Sequence, residues 1–170
     1  MAQPRPSHHS AQQCRALQET TGGGMRFSYD ELTTREQAVA ELALHAVAVA
    51  FGEEPRDILS TQRQEHIAVA RQAAYWLMRK SIEMPYSHIG CVFDGQEGKG
   101  IDHGAVVHGV KRMNDILVID WRTGSKNART RAKVEKAIRI FKEMKQARTA
   151  EDEKRLRQSA QVEAERLNAA

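Results

Sequence analysis

Apolar residues recur every three or four positions in four segments of the chain, which is the spacing of amphipathic helices. Thr33 or Thr34 can cap the first helix, since Glu36 lies three residues after Thr33, and Gly52 ends it. The pattern predicts an all-α domain, a small helical bundle, over residues 27–121. The apolar positions of the four segments are Val39, Leu42, Ala43, Ala46, Val47 and Ala50; Ile67, Ala70, Ala74, Leu77 and Met78; Ile89, Val92 and Phe93; and Val106, Val107, Val110, Met113, Ile116 and Leu117.

The last two of these segments are joined in a way that is typical of DNA-binding folds. A short helix begins at Pro85, a glycine-rich loop follows over residues 94–100, and a longer helix begins near Asp102, a favourable N-cap. A preceding helix is predicted over about residues 66–81. A short helix, a loop and an N-capped longer helix together describe a helix-turn-helix.

Polar segments flank this domain on both sides. Residues 1–26 contain proline, histidine and glutamine and end near three glycines, so we predict a disordered N-terminal arm. Residues 122–170 are predicted to form a basic helical C-terminal extension, with a helix that frays after Ala150. Its apolar stripe comprises Val134, Ala137, Ile138, Phe141 and Met144.

The positive charge of the chain is concentrated in that extension. The net charge is only +4, but residues 120–170 carry fourteen basic and eight acidic side chains. From Arg122 to Arg148 the sequence contains ten basic residues and only two acidic ones, Glu135 and Glu143. Such a block can attract a phosphate backbone or line a solvated helix face.

Several classes of protein are not expected from this composition. No apolar run is long enough to cross a bilayer, and the first residues do not form a signal peptide, so a cytoplasmic, nucleoid-associated protein is predicted. Two cysteines, Cys14 and Cys91, do not provide a disulfide framework. We expect no catalytic residues, no cofactor and no metal, because the histidines near Cys91 lack a ligand spacing suited to zinc.

Four short motifs occur in an order that resembles a known family. They are Asp57-Ile58-Leu59-Ser60, Arg71-Gln72-x-Ala74, Ile89-Gly90-x-x-Phe93, and Asp102-His103 followed by Val106 and His108. Over about residues 46–118 the chain resembles the C-terminal DNA-binding domain of the bacterial replication initiator DnaA, a TrpR-like helix-turn-helix. The ATPase of such initiators is not expected, because no G-x-x-x-x-G-K-[ST] motif is present.

The resemblance implies specific roles in binding duplex DNA. It places Arg63 in the minor groove, Arg71 and Gln72 on phosphates, and Asp102 and His103 on bases in the major groove. Further contacts are expected from Ala105, which can touch a thymine methyl, and from Lys111 and Arg112 on the backbone. The basic extension is expected to add accessory contacts through Lys126, Arg129, Arg131 and Lys133.

The chain also departs from the family pattern. Two threonines that follow the histidine in the family are Gly104 and Ala105 here, and the loop before Asp102 is longer and contains Glu97. The leading interpretation is a sequence-preferring DNA-binding protein that regulates transcription or replication in a bacterium or phage. The alternative is a protein-interaction module, in which the C-terminal helices bind a partner or a second copy through their apolar stripe.

Overall fold

The computed structural model describes residues 29–93, 100–118 and 127–168, with side chains as far as Gln161. The predicted N-terminal arm and the boundary at residue 121 lie outside these residues. Every regular element within them is helical, which confirms the predicted all-α class. The elements are a 3-10 turn at Tyr29–Glu31 and six α-helices: α1 Thr34–Phe51, α2 Pro55–Leu59, α3 Glu65–Ile82, α4 Tyr86–Cys91, α5 His103–Val118 and α6 Ala128–Asn168.

Helix α1 begins and ends where its cap residues predict. The amide of Glu36 donates to the hydroxyl of Thr33 at 3.2 Å, and the amide of Thr33 donates to the Glu36 carboxylate at 2.9 Å. This reciprocal pair satisfies two amides that have no partner within the helix. At the other end Gly52 takes a left-handed conformation with φ 74°, which ends the helix.

Small side chains allow α1 to pack closely against α3. Ala43 and Ala46 of α1 and Ala70 and Ala74 of α3 are fully buried in the same core. Larger side chains fill the remaining space, since Phe93 and Met78 are almost completely buried. Burying one large apolar side chain stabilises the fold by roughly 1.5–3 kcal/mol, so aliphatic packing accounts for much of the stability of this alanine-rich bundle.

The first half of α6 covers the opposite side of α1. Val134 and Phe141 are buried in the core that α1 shares with α3. Lys133 Nζ donates to the carbonyl of Phe51 at the end of α1, at 3.1 Å, whereas Arg148 lies 3.8 Å from Glu41. The two helices therefore run antiparallel. The apolar stripe of α6 is largely used within the chain, so it does not offer the exposed partner surface that the alternative interpretation requires.

The second half of α6 extends beyond the bundle. Residues 145–161 are all exposed, and the helix nevertheless continues to Asn168. The predicted fraying after Ala150 is therefore not seen. Ion pairs one turn apart support this segment, with Arg155 3.1 Å from Glu151 and Arg157 3.7 Å from Glu153.

Candidate nucleic-acid interface

The turn between α4 and α5 depends on a close approach of two backbone segments. The amide of Ile101 donates to the carbonyl of Gly90 at 2.9 Å. A Cβ atom at Gly90 would lie 2.2 Å from the Ile101 carbonyl oxygen, so no larger residue fits there. Gly100 has φ 74°, a conformation that favours glycine. These contacts fix where the chain enters α5.

Asp102 caps α5 and leaves its first turn open to solvent. The Asp102 carboxylate accepts from the amide of Gly104 at 2.9 Å, and its carbonyl accepts from Ala105 at 3.0 Å. The side chains of Asp102 and His103 are 79% and 72% exposed. Capping thus uses one carboxylate oxygen of Asp102, and the exposed side chain remains accessible to a base edge.

One face of α5 is buried and the other is free along the whole helix. Val106, Val110 and Met113 point into the core. The outward positions are Ala105, Val107, His108, Lys111, Arg112 and Asp115, all exposed. This outward row combines small apolar groups in the first turns with cations one turn later.

The structure corrects the assignment of Val107 and adds His108 to the outward face. The sequence placed both valines of the Val106–Val107 pair in the apolar stripe, but Val107 is 38% exposed. The exposure of Val107 could have been predicted only from a helical wheel. On that wheel Val106, Val110 and Met113 define one face, and residue 107 lies about 100° away from residue 106.

Helix α5 crosses α3 at close range, which brings predicted site residues together. A Cβ atom at Gly109 would lie 2.8 Å from Tyr75 Cδ2 and 3.0 Å from Gln72 Cγ. At this crossing Arg112 Nη1 donates to Gln72 Oε1 at 3.3 Å. Gln72 of α3 and Arg112 of α5, both predicted to contact the DNA backbone, therefore lie side by side.

A second hydrogen bond fixes α3 relative to α5. Trp76 Nε1 donates to Asn114 Oδ1 at 2.8 Å. The sequence predicted Trp76 as a core residue, and its ring does pack against the core while its polar edge is satisfied by Asn114.

Arg71 has a different role from the one predicted. Its Nε donates to the carbonyl of Ile58 at 2.8 Å, and its Nη2 donates to the carbonyls of Gln62, at 3.0 Å, and Ser60. The residue is only 8% exposed, and burial lowers its pKa from the ordinary arginine value. Arg71 therefore holds the loop before α3 instead of presenting a guanidinium to a phosphate.

The loop that Arg71 holds carries Arg63 on its outer side. Arg63 is exposed and has no hydrogen-bond or ion-pair partner within the described part of the chain. Gln72 is half-buried at the edge of α3. Arg63 thus lies on the fixed loop, Gln72 at the edge of α3, and the exposed residues of α5 on its outward face.

The accessory basic residues lie on another helix. Arg129, Arg131 and Lys133 belong to the start of α6, and Lys126 lies outside the described residues. Arg131 Nε is paired with Glu135 at 2.8 Å, and Lys133 is bound to the Phe51 carbonyl. Since α6 packs on α1, and α5 packs on α3 and α4, these residues do not extend the outward face of α5.

Residues 29–93, 100–118 and 127–161 contain no group of three histidine, cysteine, aspartate or glutamate side chains able to hold a metal ion. None of the described helices has the length and hydropathy of a membrane span.

Comparison with known proteins gives one consistent result. Residues 40–113 match the family described as "Bacterial dnaA protein helix-turn-helix". The chromosomal replication initiator protein DnaA of Thermomicrobium roseum is 33% identical over 91 residues, which are 54% of this chain and 18% of that protein. The initiators of Synechocystis and Chloroflexus aurantiacus are each 27% identical, over 51% and 59% of this chain and 18% and 20% of their own lengths. The chain therefore spans about a fifth of the length of these relatives. No solved structure matches it.

Proposed function

Residues 40–113 form a helix-turn-helix domain similar to that of bacterial DnaA proteins, and on this basis we propose that the protein binds duplex DNA with a sequence preference. The observation that carries the proposal is the N-terminal end of α5, where the side chains of Asp102 and His103 are exposed to solvent. The N-terminal residues of a recognition helix are those that contact base edges in the major groove.

The outward face of α5 contains the chemistry needed to read bases. The second carboxylate oxygen of Asp102, 3.6 Å from His103 Nδ1, is exposed and is an acceptor suited to a cytosine amine. Ala105 and Val107 present methyl groups of the kind that pack against the thymine methyl. Together they form a mixed polar and apolar reading row, in place of the hydroxyl groups that the family presents after its histidine.

The surrounding cations position the protein on the backbone. Lys111 and Arg112 follow one turn after the reading row, and Arg112 is oriented by Gln72. Arg63, on the loop held by Arg71, reaches the adjacent minor groove in this arrangement. Phosphate and minor-groove contacts of this kind fix register, and base contacts provide the sequence preference.

The biological role that fits this chemistry is regulation of transcription or replication. The proposal rests on the similarity of the helix-turn-helix to a domain of replication initiators and on the exposure of its reading helix. A protein-interaction module is less well supported, because Val134 and Phe141, which were to form its partner surface, are buried.

Fluorescence anisotropy with a labelled random-sequence duplex tests DNA binding itself. At about 50 mM salt we expect measurable binding that weakens as salt rises, because each phosphate contact contributes about −0.9 to the slope of log K against log salt. The double variant Lys111→Ala/Arg112→Ala should lower the magnitude of that slope by up to about 1.8. The matched control is Lys154→Ala/Arg155→Ala, which removes two exposed cations from the distal part of α6 and should leave the slope unchanged. No binding at low salt would contradict the proposal.

A further inference from the structure

The outer side of α6 carries a row of cations that the bundle does not use. Arg129, Lys136, Arg139 and Lys142 are exposed and have no hydrogen-bond or ion-pair partner among the residues described. We call these four residues the outer basic face. The acidic residues near it are Glu143, which is exposed, and Glu135, which is already paired with Arg131 at 2.8 Å. Counted together with Arg131, Glu135 and Glu143, the face has a net charge of +3.

The packing of the bundle separates this face from the reading helix. Helix α6 buries Val134, Ala137 and Phe141 against α1, and α1 packs on α3, whose other side contacts α5. The contact between α5 and α6 is minor. Since α6 packs mainly on α1 and α5 mainly on α3, and each turns its polar side away from its partner, we infer that the two outward faces lie on different sides of the bundle. A duplex seated on α5 leaves the outer basic face free.

The dimensions and charge of the face suit a nucleic-acid backbone. From Arg129 to Lys142 the helix rises by about 20 Å at 1.5 Å per residue. Duplex DNA carries roughly one negative charge per 1.7 Å of its axis, so a helix of this length meets several phosphates. The row offers no cluster of apolar or aromatic side chains, and the face is therefore suited to phosphate and not to base stacking.

We propose that the outer basic face of α6 binds the phosphate backbone of a second duplex segment, so that one chain bridges two stretches of DNA. One segment is read by α5, and the other is held without sequence preference. Reading of the first segment by α5 rests on the proposed function, whereas binding of the second segment depends only on α6.

A two-duplex capture assay with the full chain tests the bridge. One duplex, selected for tight binding, is immobilised, the protein is added, and capture of a second, labelled duplex of unrelated sequence is measured. The triple variant Lys136→Gln/Arg139→Gln/Lys142→Gln should reduce this capture at least about tenfold at low salt, since three phosphate contacts are lost. Its affinity for the immobilised duplex should change by less than about twofold, because α5 is untouched.

The control is the triple variant Lys154→Gln/Arg155→Gln/Arg157→Gln, which removes the same charge from the distal part of α6. It should capture the second duplex as the unchanged protein does. Circular dichroism melting of both variants shows whether the fold is intact. Light scattering on the DNA-free proteins gives the mass of the chain in solution, and a fall in that mass in the first triple variant would mean that the face joins two copies of the chain.

Three further results overturn the proposal. The first is that the α6 triple variant captures the second duplex as well as the unchanged protein does. The second is that this variant loses affinity for the immobilised duplex by the same factor as it loses capture. The third is that it loses binding to vesicles with about 30% phosphatidylserine while it still captures the second duplex. The variant Asp102→Ala/His103→Ala separates sequence reading by α5 from phosphate binding by the outer basic face. If it and the unchanged protein bind all sequences equally, sequence reading by α5 fails, whereas the outer basic face is still tested by capture of the second duplex with the α6 triple variant.

Discussion

Arg71 Nε donates a hydrogen bond of 2.8 Å to the carbonyl oxygen of Ile58, and this bond joins α3 to the end of α2. Through two further carbonyls, those of Ser60 and Gln62, the same guanidinium fixes the loop that carries Arg63. The contact is therefore a link between the buried core and a proposed DNA-binding side chain.

Replacing Arg71 with alanine should lower both stability and DNA affinity. Three carbonyls lose their donor, and an unsatisfied buried polar group costs roughly 1–3 kcal/mol. If Arg71 acts on DNA through Arg63, the double variant Arg63→Ala/Arg71→Ala binds DNA as weakly as Arg63→Ala alone. Urea unfolding and anisotropy measure the two effects.

The control for this pair is Arg56→Ala, which removes an exposed arginine of α2 and should change neither quantity appreciably. Additive losses of affinity in the double variant would show that Arg71 contacts DNA independently of Arg63, and the positioning role would then be wrong.

Gly109 sets the distance between α3 and α5. A Gly109→Val substitution places new carbon atoms against the buried Tyr75 ring, and overpacking of this kind typically costs about 1–3 kcal/mol. Thermal unfolding should show the loss, and DNA affinity should fall because the reading helix is displaced. Val107→Ala on the outward face of α5 is the matched comparison, with an expected stability change below about 0.5 kcal/mol. Equal stability of the two variants would contradict the close crossing.

The pH dependence of stability should report on Glu36. Burial raises the pKa of this carboxyl, but hydrogen bonds from His88 and Thr33 favour the carboxylate more strongly, and the pKa lies below its ordinary value of 4.5. A carboxyl with a lowered folded-state pKa contributes stability above its unfolded pKa and loses that contribution as pH falls through the folded one. Glu36→Gln should therefore destabilise the protein clearly at about pH 7 and much less at about pH 3.

Urea unfolding at the two pH values measures this difference. Glu41→Gln serves as the control for loss of an exposed carboxylate, 3.8 Å from Arg148, and should cost less than about 0.5 kcal/mol near neutral pH. A destabilisation by Glu36→Gln that is the same at both pH values would show that the charge of Glu36 does not matter and that only its packing does.

Local signals in the sequence were sufficient for most of the fold. Thr33, Gly52 and Asp102 lie at the helix ends where their cap chemistry places them, and Pro85 lies one residue before the helix that it was predicted to begin. These predictions succeed because a cap depends on residues three or four positions apart. The prediction that α6 frays after Ala150 was wrong, because ion pairs one turn apart support the distal part of this helix, which has few apolar residues.

Contacts between distant segments account for what the sequence did not reveal. An arginine within a predicted amphipathic helix is expected to be a surface cation, and only the folded chain brings the carbonyls of Ile58, Ser60 and Gln62 to Arg71. Val106 and Val107 have the same helix propensity, and only their angular positions relative to Val110 and Met113 distinguish the buried valine from the exposed one. The position of α6 on the far side of α1 depends on packing that no local pattern encodes.

Selection of bound sequences from a random duplex pool tests the central claim most directly. The unchanged protein should enrich a defined site, and His103→Ala should relax the preference at the bases nearest the start of α5, at a cost of about 1–3 kcal/mol for the preferred site. Arg63→Ala should relax it at an adjacent A·T-rich position. If no sequence is enriched, or if both variants select the same site with the same affinity as the unchanged protein, α5 is not the element that reads DNA.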